Sequence, residues 1–145
     1  MIIYVGASLD ILHAGHINFF LRLKKMFPNC DIVVALNTDE FIQEFKGHPP
    51  VFNYQEREEH LLMCGYVDKV VPNTGGRDSK PAILQVHPDI VAVGTDWLEK
   101  DYCKQMDFDA KWLEEHNISL VYIPNLRVVS TTEIKRRLSA VDNHN

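Results

Sequence analysis

Two histidines, His13 and His16, stand three residues apart around Ala14-Gly15, shortly after an apolar run, Ile2-Ile3-Tyr4-Val5, and a turn-forming Gly6. The pattern predicts a β-strand giving way to a helix that begins near Ala14, with both imidazoles on its first turn. At the first βα junction of a parallel sheet, unpaired backbone N–H groups and the helix dipole face an incoming anion, so phosphate-bearing ligands bind there. Imidazoles so placed can donate to phosphoryl oxygens and stabilise the charge that builds on phosphorus during displacement. Two other readings stay open. The histidines could be polar residues of an ordinary helix start, or a metal pair, although no Cys or carboxylate follows at a spacing that completes a site. Asp10 is placed either to hold the loop as a turn acid or to position a cation.

A second group lies far downstream. Ser130-Thr131-Thr132-Glu133 precedes Ile134-Lys135-Arg136-Arg137, with Arg127 three residues before. Ser130 and Glu133 have capping-box spacing, which sets three hydroxyls at a positive helix end. Two such helix ends on one edge of a sheet could clamp opposite ends of a triphosphate. A third group is Lys46 in a Gly/Pro loop, able to fold over phosphates as a point charge. Arg57 sits in the first turn of a predicted helix, against the dipole's preference. Gly94-Thr95-Asp96-Trp97 follows a predicted strand; Gly94 permits close backbone approach, while Asp96 and Trp97 can bind and stack on a base. Gly75-Gly76-Arg77 is too short for a phosphate loop and reads as a turn. Lys46, Arg57 and Arg77 are the cations available to a second, acceptor phosphate.

The elements that must position these groups follow from the pattern of apolar residues. Strands are expected at residues 2–6, 31–37, 67–71, 90–93 and 118–123. Phe20, Leu21, Leu23 and Phe27 recur at helical spacing in a helix that stops at Pro28-Asn29. Further helices are expected after Thr38, after the cap Asn53 with Glu56 at its third position, after the cap Ser79, from Asp109 to Glu115, and from Ser130. Several of the strands are short, β-branched and without polar alternation, as in a parallel sheet covered on both faces. The βαβα order implies a single doubly wound, Rossmann-like α/β domain over residues 1–140, with a parallel sheet of about five strands. Residues 141–145 read as a frayed tail.

Composition narrows the function classes. The chain has 145 residues, enough for one domain with a sizeable core. Its formal net charge of −5 argues against nucleic acid as a partner, so any phosphate site must be a local cluster of cations. The three cysteines lack CxxC spacing, which points to reduced thiols in the cytoplasm. No apolar run has membrane-spanning length and no signal peptide is evident.

Taken together, the motifs resemble the cytidylyltransferase family, most closely its glycerol-3-phosphate members. The likeness rests on residues 7–16 with His13-Ala14-Gly15-His16, on Lys46, on Glu56-Arg57, on Tyr66-Val67-Asp68-Lys69-Val70, on Gly94-Thr95-Asp96-Trp97 and on Ser130-Thr131-Thr132-Glu133-Ile134, in the family's order. It extends to about Leu138. The resemblance implies transfer of CMP from CTP to a small phosphomonoester, with release of pyrophosphate. It implies magnesium as cofactor and a homodimer, with the 66–70 segment at the interface. Carried over, His13, His16, Lys46 and Arg127 would be catalytic. Ala7, Ser8, Leu9, Asp10, Gly15, Gly94, Asp96, Trp97, Ser130, Thr131 and Thr132 would line the nucleotide. Asp10 would be placed for the metal. The pattern departs from the family's at Ala7 and Leu9, where it usually has Gly and an aromatic, and at Asn125, where it has an arginine. Adenylyl transfer from ATP, a binding module without turnover, and a metal-dependent hydrolase are the competing readings.

Overall fold

The computed structural model describes residues 1–95, 109–124 and 131–142, with the backbone alone for Thr131 and Asp142. In chain order the elements are β1 (Ile2–Ala7), α1 (Ala14–Met26), β2 (Asp31–Asn37), α2 (Asp39–Lys46), α3 (Tyr54–Met63), β3 (Lys69–Asn73), α4 (Lys80–Val86), β4 (Ile90–Gly94), α5 (Ala110–Glu115), β5 (Ser119–Ile123) and α6 (Thr131–Asp142).

The five strands form one parallel sheet in the order β3-β2-β1-β4-β5. Successive side chains of a strand point to opposite faces, and both faces here are covered. On one face Ile3, Val5, Ile32, Val34 and Leu36 pack with Phe20 and Leu23 of α1 and Leu61 of α3. On the other, Tyr4, Val33, Ala35, Val91 and Val93 pack with Ala82 and Ile83 of α4 and Leu113 of α5. Apolar residues on both sides are why these strands show no polar alternation.

The strand order reverses between β1 and β4, and the sheet opens there. β1 pairs with β2 from Ile2 to Ala7 but with β4 only at Ile3 and Tyr4. Beyond those residues the two central strands part, which leaves a crevice at their carboxyl ends, the usual ligand position in doubly wound sheets.

Three sequence expectations shift. The third strand runs two residues later than expected, to Asn73; its Pro72 is tolerated because β3 is an edge strand. Ser79 precedes α4 with φ −82° and ψ −11° and makes no side-chain cap bond. An N-cap side chain needs extended backbone to turn onto the helix, and the Asp78 carboxylate takes the Lys80 N–H instead. Val141 and Asp142 continue α6 and are not a tail. Among the described residues, no helix is long and apolar enough to cross a membrane.

Candidate nucleotide site

The histidine turn is built by the histidines themselves. His13 is the N-cap of α1, with extended backbone, and its Nδ1 accepts the Gly15 N–H at 3.1 Å. His16 Nδ1 accepts the His13 N–H at 3.2 Å, which closes a reciprocal capping box of the kind usually made by Ser/Thr and Glu. The rings stack with centroids 3.8 Å apart. A nitrogen that accepts a backbone N–H carries no proton. In the neutral ring the proton must then sit on Nε2. Burial, then the neighbouring His13, lowers the pKa of His16 to about 4, and burial also holds His13 below its ordinary value. At neutral pH the pair is therefore two neutral rings whose Nε2–H groups are donors. Such rings can stabilise an anion but cannot act as bases through Nδ1. Gly15, expected at the nucleotide, has its amide engaged by His13.

The loop before this turn is held from several sides. Leu9 adopts a left-handed φ of 47°, a conformation that costs a non-glycine residue about 1–2 kcal/mol. Asn37 donates to Ser8 Oγ at 3.0 Å, and Arg57 Nη1 donates to the Ser8 carbonyl at 2.8 Å. Asp10 accepts the Val51 and Phe52 N–H groups at 3.0 Å each, and Lys135 of α6 reaches it at 3.5 Å. Burial pushes the Asp10 carboxyl up, but these amides and Lys135 together hold it below its ordinary value. Gly6 leaves space for the Tyr4 ring, since a Cβ there would lie 3.2 Å from the phenol oxygen.

Two expectations change with this geometry. Arg57 is fully buried and does not face an acceptor. Its guanidinium donates to the Phe52 carbonyl, the Ser8 carbonyl and Asp39, at 3.0, 2.8 and 2.7 Å. It joins the loop after β1, the loop before α3 and the start of α2. Asp10 does not fit a resident magnesium site. Magnesium needs freely presented oxygens in near-octahedral geometry, and here one oxygen takes Phe52 while the other takes Val51 and Lys135. Among the described residues no three His, Cys, Asp or Glu side chains come together as a metal cluster.

The remaining expected residues divide by position. Ala7 and Gly94 end the two strands that flank the crevice. Lys46 is exposed at the end of α2, before Gly47 with φ +80°. Thr132 is exposed in the first turn of α6, and Thr131 is placed by its backbone. Arg77 is exposed in the loop after the edge strand β3, two strands from β1. Asp96, Trp97, Arg127 and Ser130 lie outside the described residues. Sequence reading missed Asn37, Asn73 and the partnership of Lys135 with Asp10. A polar residue closing each apolar run, at Ser8, Asn37 and Asn73, was the available signal.

A doubly wound sheet with paired imidazole donors at its first βα junction defines a nucleotide-handling α/β protein. The chain belongs to the cytidylyltransferase-like family, whose model matches residues 4–137. It is 30% identical to glycerol-3-phosphate cytidylyltransferase of Bacillus subtilis, over 92% of this chain and 94% of that one. It is 35% identical to FAD synthase of Pyrococcus abyssi, over 78% of this chain and 69% of that one. Among solved structures, a lipopolysaccharide core biosynthesis protein from Thermoplasma volcanium superposes with a TM-score of 0.67 at 21% identity, covering 89% and 98% of the two chains. The likeness of that pair is one of fold.

Proposed function

We propose that this protein transfers CMP from CTP to a small phosphomonoester of a polyol or amino alcohol, giving a CDP-ester and pyrophosphate. An oxygen of the acceptor phosphate attacks the α-phosphorus in line. The new P–O bond forms as the bond to the β-phosphate oxygen breaks, and the pair of electrons leaves with pyrophosphate. No covalent enzyme intermediate is involved. His13 and His16 donate from Nε2 to the oxygens that gain charge on the α-phosphorus. Lys46 swings from the exposed end of α2 to meet phosphate oxygens, and Thr131 and Thr132 meet the β- and γ-phosphates at the start of α6, where the dipole favours anions. Arg127 supplies the charge that the family's arginine would give from the position of Asn125.

The observation that carries this reading is the histidine capping box, which leaves two neutral Nε2–H donors at the first βα junction. CTP is favoured because the glycerol-3-phosphate cytidylyltransferases of Bacillus subtilis and Staphylococcus aureus match over more than nine-tenths of both chains. Adenylyl transfer from ATP is the second reading, favoured by the FAD synthase relatives, 32–35% identical. Pyrophosphate release measured with CTP, ATP, GTP and UTP, each against glycerol phosphate, phosphocholine, phosphoethanolamine and a flavin monophosphate, separates them. Release with CTP and a small phosphomonoester is the expected result. Release only with ATP would replace the first reading by the second. Binding of CTP with no release under any pairing would leave a binding module.

A further inference from the structure

The carboxyl ends of three neighbouring strands carry a continuous chain of polar side chains. In register, Ala7 is level with Leu36, which puts Ser8 level with Asn37, and Asn37 is level with Asn73. Asn73 Nδ2 donates to Asn37 Oδ1 at 2.8 Å and to the Gly76 carbonyl at 2.9 Å. Asn37 Nδ2 then donates to Ser8 Oγ at 3.0 Å.

The direction of this chain is fixed at its far end. Gly76 offers a carbonyl, which can only accept, so the Asn73 amide must present its nitrogen there. That same nitrogen faces Asn37, so Asn37 must present its oxygen to Asn73 and its nitrogen to Ser8. The Ser8 oxygen is thereby an acceptor within the chain, and its proton is left for a partner elsewhere. The Arg57 contact to the Ser8 carbonyl holds the residue from its other side. Asn73 is 5% exposed, and its Oδ1 has no hydrogen-bond partner among the described residues.

We propose that Asn37 and Asn73 are positioning residues that act through Ser8: they orient its hydroxyl so that it donates to an oxygen of the transferred phosphoryl group. The inference rests on the nucleotidyl-transfer reading above. Ser8 is the first residue after β1, beyond the point where β1 and β4 cease to pair, in the loop that leads to His13 and His16. Hydrogen bonds in series polarise one another, so the two amides make that hydroxyl a better donor as well as a directed one.

The chain has a distinctive weakness that gives the test. In Asn37→Asp the carboxylate still accepts from Asn73 but can no longer donate to Ser8. The Ser8 proton then turns toward the introduced carboxylate and away from substrate. We expect Ser8→Ala and Asn37→Asp each to lower kcat roughly 10- to 100-fold, with the nucleotide KM changed less than about twofold, as for an interaction made in the transition state. Ser8→Thr should restore the rate, since it keeps the hydroxyl. The double variant should be no slower than Ser8→Ala alone, because both changes remove one donor. Asn37→Ala serves in the same cycle should the aspartate variant not fold, and thermal melting reports the fold of each. Effects that multiply in the double variant would assign Asn37→Asp to charge repulsion and overturn the inference while leaving the transfer reading intact. Absence of pyrophosphate release by the wild-type protein with every nucleotide and acceptor would overturn both.

Discussion

His16 takes the backbone N–H of His13 on its Nδ1 while the two rings stack 3.8 Å apart, so each histidine is at once a piece of helix cap and a donor. The two duties use different nitrogens of one ring, and substitution can separate them. Asparagine reproduces the Nδ1 acceptor but has nothing at the Nε2 position. His16→Asn is expected to keep the cap and most of the stability while turnover falls roughly 100-fold or more. His16→Ala should lose both, with about 1 kcal/mol of stability gone with the cap. Steady-state kinetics beside thermal melts check this; a wild-type rate in His16→Asn would remove the imidazole from the chemistry.

Stability should depend on pH through the same residues. The folded pKa of His16 is about 4, below the ordinary 6.5, and that of His13 is also lowered. The unfolded chain therefore binds protons that the folded one refuses. The sign follows from linkage: stability is fully present above about pH 6.5 and is lost as pH falls toward 4. Asp10 and Asp68 have lowered carboxyls and act below this window. The melting temperature should thus decline between pH 6.5 and 4, and His16→Asn should flatten that decline. An identical slope in the variant would place the titration elsewhere.

Arg57 should matter for the fold before it matters for the substrate. Its side chain is fully buried, with Asp39 half-exposed opposite. Arg57→Ala leaves two carbonyls and a carboxylate without their donor, and removal of one partner from a buried pair costs about 3–5 kcal/mol. Arg57→Lys should recover little, since an ammonium cannot span the three directions that the planar fork reaches. Urea unfolding midpoints test both. A loss below about 1 kcal/mol in Arg57→Ala would mean that the loops hold without it.

Lys46 presents the opposite profile. It is exposed, beside the glycine C-cap Gly47. Lys46→Ala should change unfolding free energy by no more than ~0.5 kcal/mol while lowering kcat/KM about tenfold or more, the usual value of a charge-assisted contact. An unchanged kcat/KM would return Lys46 to the solvent.

The strands and helices were legible because local signals agreed with burial. Ile2 to Val5 and Ile32 to Leu36 had to be two-sided strands, and Asn53 with Glu56 made the reciprocal cap that its spacing implied. The pairing of His13 with His16 was visible in the spacing, but its tautomer was not, since that depends on where two backbone N–H groups point. Arg57 was misread for a related reason. Its place in a first helical turn suggested a cation facing a ligand, whereas its partners Ser8 and Asp39 lie 49 and 18 residues away. Asp10 likewise looked like a metal ligand until the folding of residues 51 and 52 onto it was seen. Long-range partners of polar groups leave no periodic trace along a chain, whereas apolar faces do.

The Asp10–Lys135 contact spans 125 residues and ties the first loop to α6. Along that helix Leu138 and Val141 are exposed among the described residues. An element tied by a half-exposed ion pair, with apolar residues left in solvent, opens at a lower free energy than the core of a sheet. Each detachment removes the counter-charge from Asp10 and carries away the hydroxyls of its first turn. Under the transfer proposed above, the fraction of molecules ready to bind would follow the docking of one helix, so a protein folded by any probe of its core could be only partly competent.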